Sequence, residues 1–192
     1  MPPDINVGVS GFSVSEGAIR YGLSAIKSVG RTVVEAIIEE REKAGPFVSM
    51  ENFVERMTNK EVNKRTLENF IKSGALDSLP GTRKQKLLIA PEVLEQKSKD
   101  KKNTIDGQMS LFDFAGEEEK KDFQITMPPV GEFSKEDLLA FEKEVLGIYI
   151  SGHPMDDYRE CWIKNITAKT TDFVVDEETE SSVVKDGQRV TV

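Results

Sequence analysis

The sequence predicts a mainly α chain: two helix, hairpin, helix units in its first half, then a polar linker, a short helical connector and the opening of a β segment. Three observations predict it. Apolar residues recur at helical spacing through much of residues 20–97. Ser, Thr and Asn precede these stretches and Gly follows them, residues that satisfy free N–H groups at a helix start and permit the left-handed turn at its end. The charge balance also shifts: residues 1–104 hold 17 Lys+Arg against 14 Asp+Glu, and residues 105–192 hold 9 against 20.

At 192 residues, with 38% hydrophobic and 31% charged side chains, the chain can bury one or two cores. No run of about 18 apolar residues is present to form a membrane span. The start, MPPDINVGVSGF, lacks the basic lead and apolar stretch of a secretion signal. Cys161 is the sole cysteine, which precludes an intramolecular disulfide and fits a reducing, cytoplasmic compartment. With a single histidine beside it, a zinc site cannot be assembled. Residues 187–192, GQRVTV, read as a strand that stops short, so the chain is read as a piece of a larger protein.

In order, Phe12 and Val14 alternate with polar residues in an extended lead. Leu23 and Ile26 stand one helical turn apart, Ser28, Val29 and Gly30 interrupt, and Val33, Val34, Ile37 and Ile38 resume the stripe. Thr32 with Glu35 is a capping-box pair, and Gly45 with Pro46 is a stop, so a helix is expected over about 33–44. Ser49 caps a short helix over MENFVERM, and Asn63 caps KRTLENFIKS, in which Leu67, Phe70 and Ile71 form the buried stripe before Gly74. Gly74, Ala75 and Leu76 make a second hairpin. Thr82 with Gln85 opens a further helix, which Pro91 is expected to kink or restart.

Residues 98–132 lack sustained periodicity and read as a flexible linker. Within it Gln108, Met109, Ser110, Leu111 and Phe112 form an apolar island too isolated to build a core, as a docking peptide would be. Ser134 with Asp137 caps a connector helix whose apolar set is Leu138, Leu139, Phe141, Val145 and Leu146, ended by Gly147. Ile148, Tyr149 and Ile150 then read as a short strand, and the patches DFVV, SSVV and RVTV beyond residue 160 as further strands.

A tight turn feeding a helix aims free N–H groups and the positive end of the helix dipole outward, which suits a phosphate. The same turn is common in hairpins that touch no nucleic acid. His153, with Asp156 and Asp157 after it, reads as a turn residue; Cys161 beside Trp162 reads as packing; Glu117, Glu118 and Glu119 read as solvated linker. No triad, glycine-rich phosphate loop or paired carboxylates can be assembled into a catalytic centre.

Residues 23–38 resemble the helix-hairpin-helix motif: Leu23, Ile26, Val29 and Gly30 meet its pattern, while Ser28 stands where a first glycine is usual. A left-handed backbone there costs serine about 1–2 kcal/mol relative to glycine, so a distorted hairpin is expected. The resemblance implies phosphate contacts from Ser28, Gly30, Arg31 and Thr32 with Lys27 nearby, and a more degenerate second site at Gly74. Such contacts would follow the duplex DNA backbone without reading bases. Gln108, Ser110, Leu111 and Phe112 are similar to the peptide by which bacterial proteins bind the β sliding clamp, its Leu and Phe entering an apolar pocket and its Gln bonding at the rim.

The order of PPDIN at 2–6, AIRYGLSAIKSVG at 18–30, VNKRTLENFIKSGALDSL at 62–79, GQMSLFDF at 107–114 and EKEVLGIYISGHPMDDY at 142–158 resembles the alpha subunits of bacterial DNA polymerase III, the C-family replicative polymerases. That resemblance implies a tandem helix-hairpin-helix module at the end of the fingers over 1–97, the clamp peptide within 98–132, a connector over 133–160 and the truncated start of an OB domain over 161–192. It implies other replicative holoenzyme subunits as partners, and magnesium for the whole polymerase. The aspartates that hold that metal lie upstream in the family, so this stretch would carry no catalysis and no cofactor. An accessory region of a repair nuclease or helicase is the alternative reading.

Overall fold

The alternation around Val14 resolves into strand β1 (Ser13–Ser15), paired antiparallel with β2 (Ala18–Arg20), Val14 opposite Ile19. The computed structural model describes residues 1–15, 17–57, 62–105, 125–175 and 181–192. They fall into two units, Met1–Ser151 and Gly152–Val192. The first is mainly helical, as the patterning requires, and this small ribbon is its sheet among the described residues.

Helix α1 spans Arg31–Ala44, α2 Met50–Arg56, α3 Lys64–Lys72, α4 Arg83–Ile105 and α5 Lys135–Leu146. Their apolar stripes converge on Val34, Ile37, Met50, Phe53, Leu67, Phe70 and Ile71, with Ile5, Leu23 and Ile26 from the lead. Phe53 packs edge-on between Phe47 and Phe70, with ring centroids at 5.1 and 5.8 Å. Each such buried side chain contributes roughly 1.5–3 kcal/mol by leaving water, which is what holds helices this short.

The caps at Ser49 and Asn63 are formed, their side chains accepting from Asn52 N and Thr66 N. The Thr82 and Gln85 pair closes in both directions, Thr82 N donating to Gln85 Oε1 and Gln85 N to Thr82 Oγ1. α1 departs from expectation. It starts two residues early, with Gly30 as N-cap and no side-chain cap, which leaves Thr32 inside the first turn and unable to form the expected box. Before it, Leu23–Ala25 make a single 3-10 turn rather than a helix. Gly22 explains this: a Cβ there would meet Gly11 C at 2.5 Å, so the chain is pressed flat against residues 9–11, with Leu23 N donating to Val9 O and Ser24 N to Ser10 O.

The linker boundaries also move. α4 runs through Pro91 without a break and on to Ile105, so residues 98–105 are helical. At the other end Ile125 and Met127 pack on the core, and the Glu132 carboxylate accepts from Arg83 N and Lys84 N, capping α4 from 49 and 48 residues away. α5 is no separate connector. It buries Val145 and Leu146 in the same core and pairs Glu144 with Lys72 of α3 at 2.9 Å. Residues 148–150 form no strand, because Gly147 at φ 79 turns the chain back onto α5, where Glu142 Oε2 accepts from Ile150 N and Ser151 N and leaves no ladder to join.

In the second unit α6 (Arg159–Asn165) is flanked by 3-10 turns at Asp156–Tyr158 and Thr170–Phe173. The patches expected as strands of an OB-like start form no strand among the described residues. They make single links instead: Val184 N donates to Asp172 O, and Thr167 N and Ala168 N to Thr191 O. Val174, Val175 and Val183 stay exposed, and a short strand pair without a covered face is not stable in water.

Candidate nucleic-acid interface

The first hairpin is built from below by three apolar anchors, Leu23, Ile26 and Val29, which are buried in the helical core. Between and after them Lys27, Ser28, Gly30, Arg31 and Thr32 are all exposed. The structure therefore brings these five expected residues onto one continuous surface. Arg31 reaches Glu35 at 2.8 Å, but with 82% and 56% of the two side chains exposed that pair is a loose surface contact.

Ser28 itself takes the left-handed conformation, φ 62, and Val29 N donates to Ile26 O to close the turn. Gly30 is ordinary extended backbone, φ −74 and ψ 150, and a Cβ there would meet nothing nearer than Thr32 Oγ1 at 3.8 Å. The residue that needs freedom is thus the serine, not the glycine. Beyond Gly30, Val33 N and Val34 N both bond to Gly30 O, while the N–H groups of Gly30, Arg31 and Thr32 have no partner among the described residues. These unpaired donors sit at the positive end of a 14-residue helix.

The loop is held by two contacts that no periodicity announces. Lys27 N donates to Val145 O at 2.9 Å, and Asn69 Nδ2 donates to Lys27 O at 2.6 Å. The only sequence signal is that Asn69, a poor residue for a helix interior, lies within the buried stripe of α3.

The second hairpin is used differently. Gly74, at φ 80, is buried, and the guanidinium of Arg83 fills the space where a side chain would stand. Arg83 also bonds Asp77 Oδ2 at 2.6 Å and Lys72 O at 3.2 Å. Burial disfavours the charged Arg83, but hydrogen bonds and charge from Asp77, aided by Glu142, outweigh it and raise its pKa. Gly74 N donates to Ile71 O, so Gly74 is not presented outward as the first hairpin is. Gln108, Ser110, Leu111 and Phe112 lie outside the described residues. Among the described residues no cluster of three or more His, Cys, Asp or Glu could hold a metal ion, and no helix is long and apolar enough to cross a membrane.

Residues 1–86 match a family described as the helix-hairpin-helix motif. The chain is 42% identical over 161 residues to the DNA polymerase III subunit alpha of Borreliella burgdorferi, 40% over 158 to that of Deinococcus radiodurans and 38% over 161 to that of Thermus aquaticus. These alignments cover 84%, 82% and 82% of this chain, but only 14%, 12% and 12% of the relatives. Identity at that level over more than four-fifths of its residues makes the chain a member of the DNA polymerase III alpha subunit family that spans 12–14% of the length of those relatives.

Proposed function

We propose that this chain is the part of a replicative DNA polymerase that grips the duplex and tethers the enzyme to its sliding clamp. The observation that carries the reading is the first hairpin, where the N–H groups of Gly30, Arg31 and Thr32, without a partner among the described residues, belong to exposed residues beside Lys27. Such a surface suits the phosphates of duplex DNA and presents nothing that reads a base edge. Gly74 is left out of the interface because it is buried.

The clamp contact is proposed for Gln108, Ser110, Leu111 and Phe112. Burying Leu111 and Phe112 would supply roughly 3–6 kcal/mol, and ordering the peptide consumes much of that. The peptide alone therefore binds weakly, at about micromolar strength, and gains from being tethered to a chain already on DNA. DNA synthesis by the whole protein, its magnesium, its other holoenzyme partners and a cytoplasmic, nucleoid-associated location belong to the same reading.

Titration of the 192-residue chain against labelled duplex DNA at several salt concentrations tests the grip. Affinity is expected to fall as salt rises, and Lys27→Ala with Arg31→Ala to lower both affinity and salt slope, by about 1 per lost phosphate contact. A flat salt response would leave the hairpin purely structural. Titration with purified clamp tests the tether: Leu111→Ala with Phe112→Ala should abolish binding, and unchanged clamp affinity would sink the assignment.

A further inference from the structure

Lys27 is an exposed residue whose backbone is gripped on both sides. Its N–H is taken by Val145 O of α5 and its carbonyl by Asn69 Nδ2 of α3, at 2.9 and 2.6 Å. Asn69 is 7% exposed and lies 42 residues from Lys27 in sequence. A buried asparagine within the apolar stripe of an amphipathic helix is costly unless its amide bonds something, and here it bonds the peptide group that leads into Ser28.

That choice of partner has a geometric effect. The peptide between Lys27 and Ser28 is trans, since the chain has no cis bond among the described residues, and in a planar trans peptide the C=O and N–H point in opposite directions. Drawing Lys27 O inward onto α3 therefore turns the Ser28 N–H away from α3, where no partner among the described residues meets it. The same constraint holds Ser28 at φ 62, a conformation serine does not choose unaided. We infer that Asn69 is a positioning residue for the DNA contact: it holds the Lys27 carbonyl so that the Ser28 N–H faces the phosphate alongside the donors of Gly30, Arg31 and Thr32. This rests on the reading of the first hairpin as a duplex-backbone site and adds the residue that aims it. Asn69 touches no phosphate; it acts through the peptide plane.

The test uses the 192-residue chain, a fluorescein-labelled duplex read by anisotropy, and a melting curve for every variant. Asn69→Ala should weaken DNA binding about five-fold, the loss of one well-placed hydrogen bond. Ser28→Gly, which keeps the backbone N–H at that position and adopts the left-handed turn freely, is measured alone as the reference for the double variant. In the Asn69→Ala background, Ser28→Gly should restore most of the lost affinity, which a merely structural asparagine would not allow. Asn69→Asp, of the same volume but without the donor, is expected to follow Asn69→Ala and covers the case in which alanine loosens α3. A backbone amide spectrum should show the Ser28 resonance displaced in Asn69→Ala. Unaltered affinity in both Asn69 variants, or a loss that Ser28→Gly does not repair, overturns the inference while the hairpin reading stands. If instead Lys27→Ala and Arg31→Ala change neither affinity nor salt slope, the hairpin reading itself fails and takes the inference with it.

Discussion

Arg83 Nη1 lies 3.5 Å from Glu142 Oε1, and the Glu142 side chain is fully buried. The other carboxylate oxygen of Glu142 accepts from Ile150 N and Ser151 N, so one acidic group ties the start of α4 to the end of α5 and the turn after it. Glu142→Ala leaves the buried Arg83 guanidinium with Asp77 as its one carboxylate partner and strands two backbone donors, and is expected to cost about 3 kcal/mol. Glu142→Gln keeps an acceptor for the two N–H groups and should cost clearly less. Urea unfolding of the three proteins decides it, and an alanine variant as stable as the parent would mean that the pair is incidental.

Two glycines of the hairpins should respond in opposite ways. Gly74 stands at φ 80 with the Arg83 guanidinium in the place of its missing side chain, so Gly74→Ala is expected to destabilise by about 2 kcal/mol or more. Gly30 is in ordinary extended backbone with open space around it, so Gly30→Ala should stay within about 0.5 kcal/mol of the parent. Thermal melts of the two variants, compared at equal concentration, check the contrast.

Acid should loosen the cap on α4. Burial alone would raise the Glu132 pKa, but hydrogen bonds from the backbone of Phe133, Arg83 and Lys84, with the charge of Arg83, lower it below the ordinary glutamate value of 4.5. The folded chain thus keeps this carboxylate charged at pH values where the unfolded chain has already taken up the proton. Its stabilisation is complete above pH 4.5 and is lost as the pH falls through the lower, folded value. Glu132→Gln should flatten the acid limb of stability against pH, measured by urea midpoints below and above that range.

The Asn63 cap offers a local check. Its side chain accepts from both Thr66 N and Thr66 Oγ1, at 3.0 and 3.2 Å. Asn63→Ala should cost about 1 kcal/mol, with Asn63→Asp and Asn63→Ser close to the parent. Equal stability of the alanine variant would show that α3 is held by its packing alone.

Much of the helical half was legible in the residues because local chemistry decides it. Ser49, Asn63, the Thr82 and Gln85 box, Ser134 and Gly147 mark helix ends through bonds that span four residues or fewer, and the stripes of α3 and α5 follow from spacing alone. The surface formed by Lys27, Ser28, Gly30, Arg31 and Thr32 was likewise readable, since a tight turn leading into a helix exposes those positions wherever it occurs.

Tertiary structure decided what depends on partners far along the chain. Leu23–Ala25 became a single turn because Gly22 is pressed against Gly11. Residues after 146 gave up a strand because a buried Glu142 claimed their N–H groups. Gly74, locally a twin of the first hairpin, was turned inward by Arg83, and Ser28 holds a left-handed turn beside a carbonyl anchored by Asn69 from α3. The common reason is that a buried polar or charged group must find its partner in three dimensions, and a sequence period records only which face of an element is apolar.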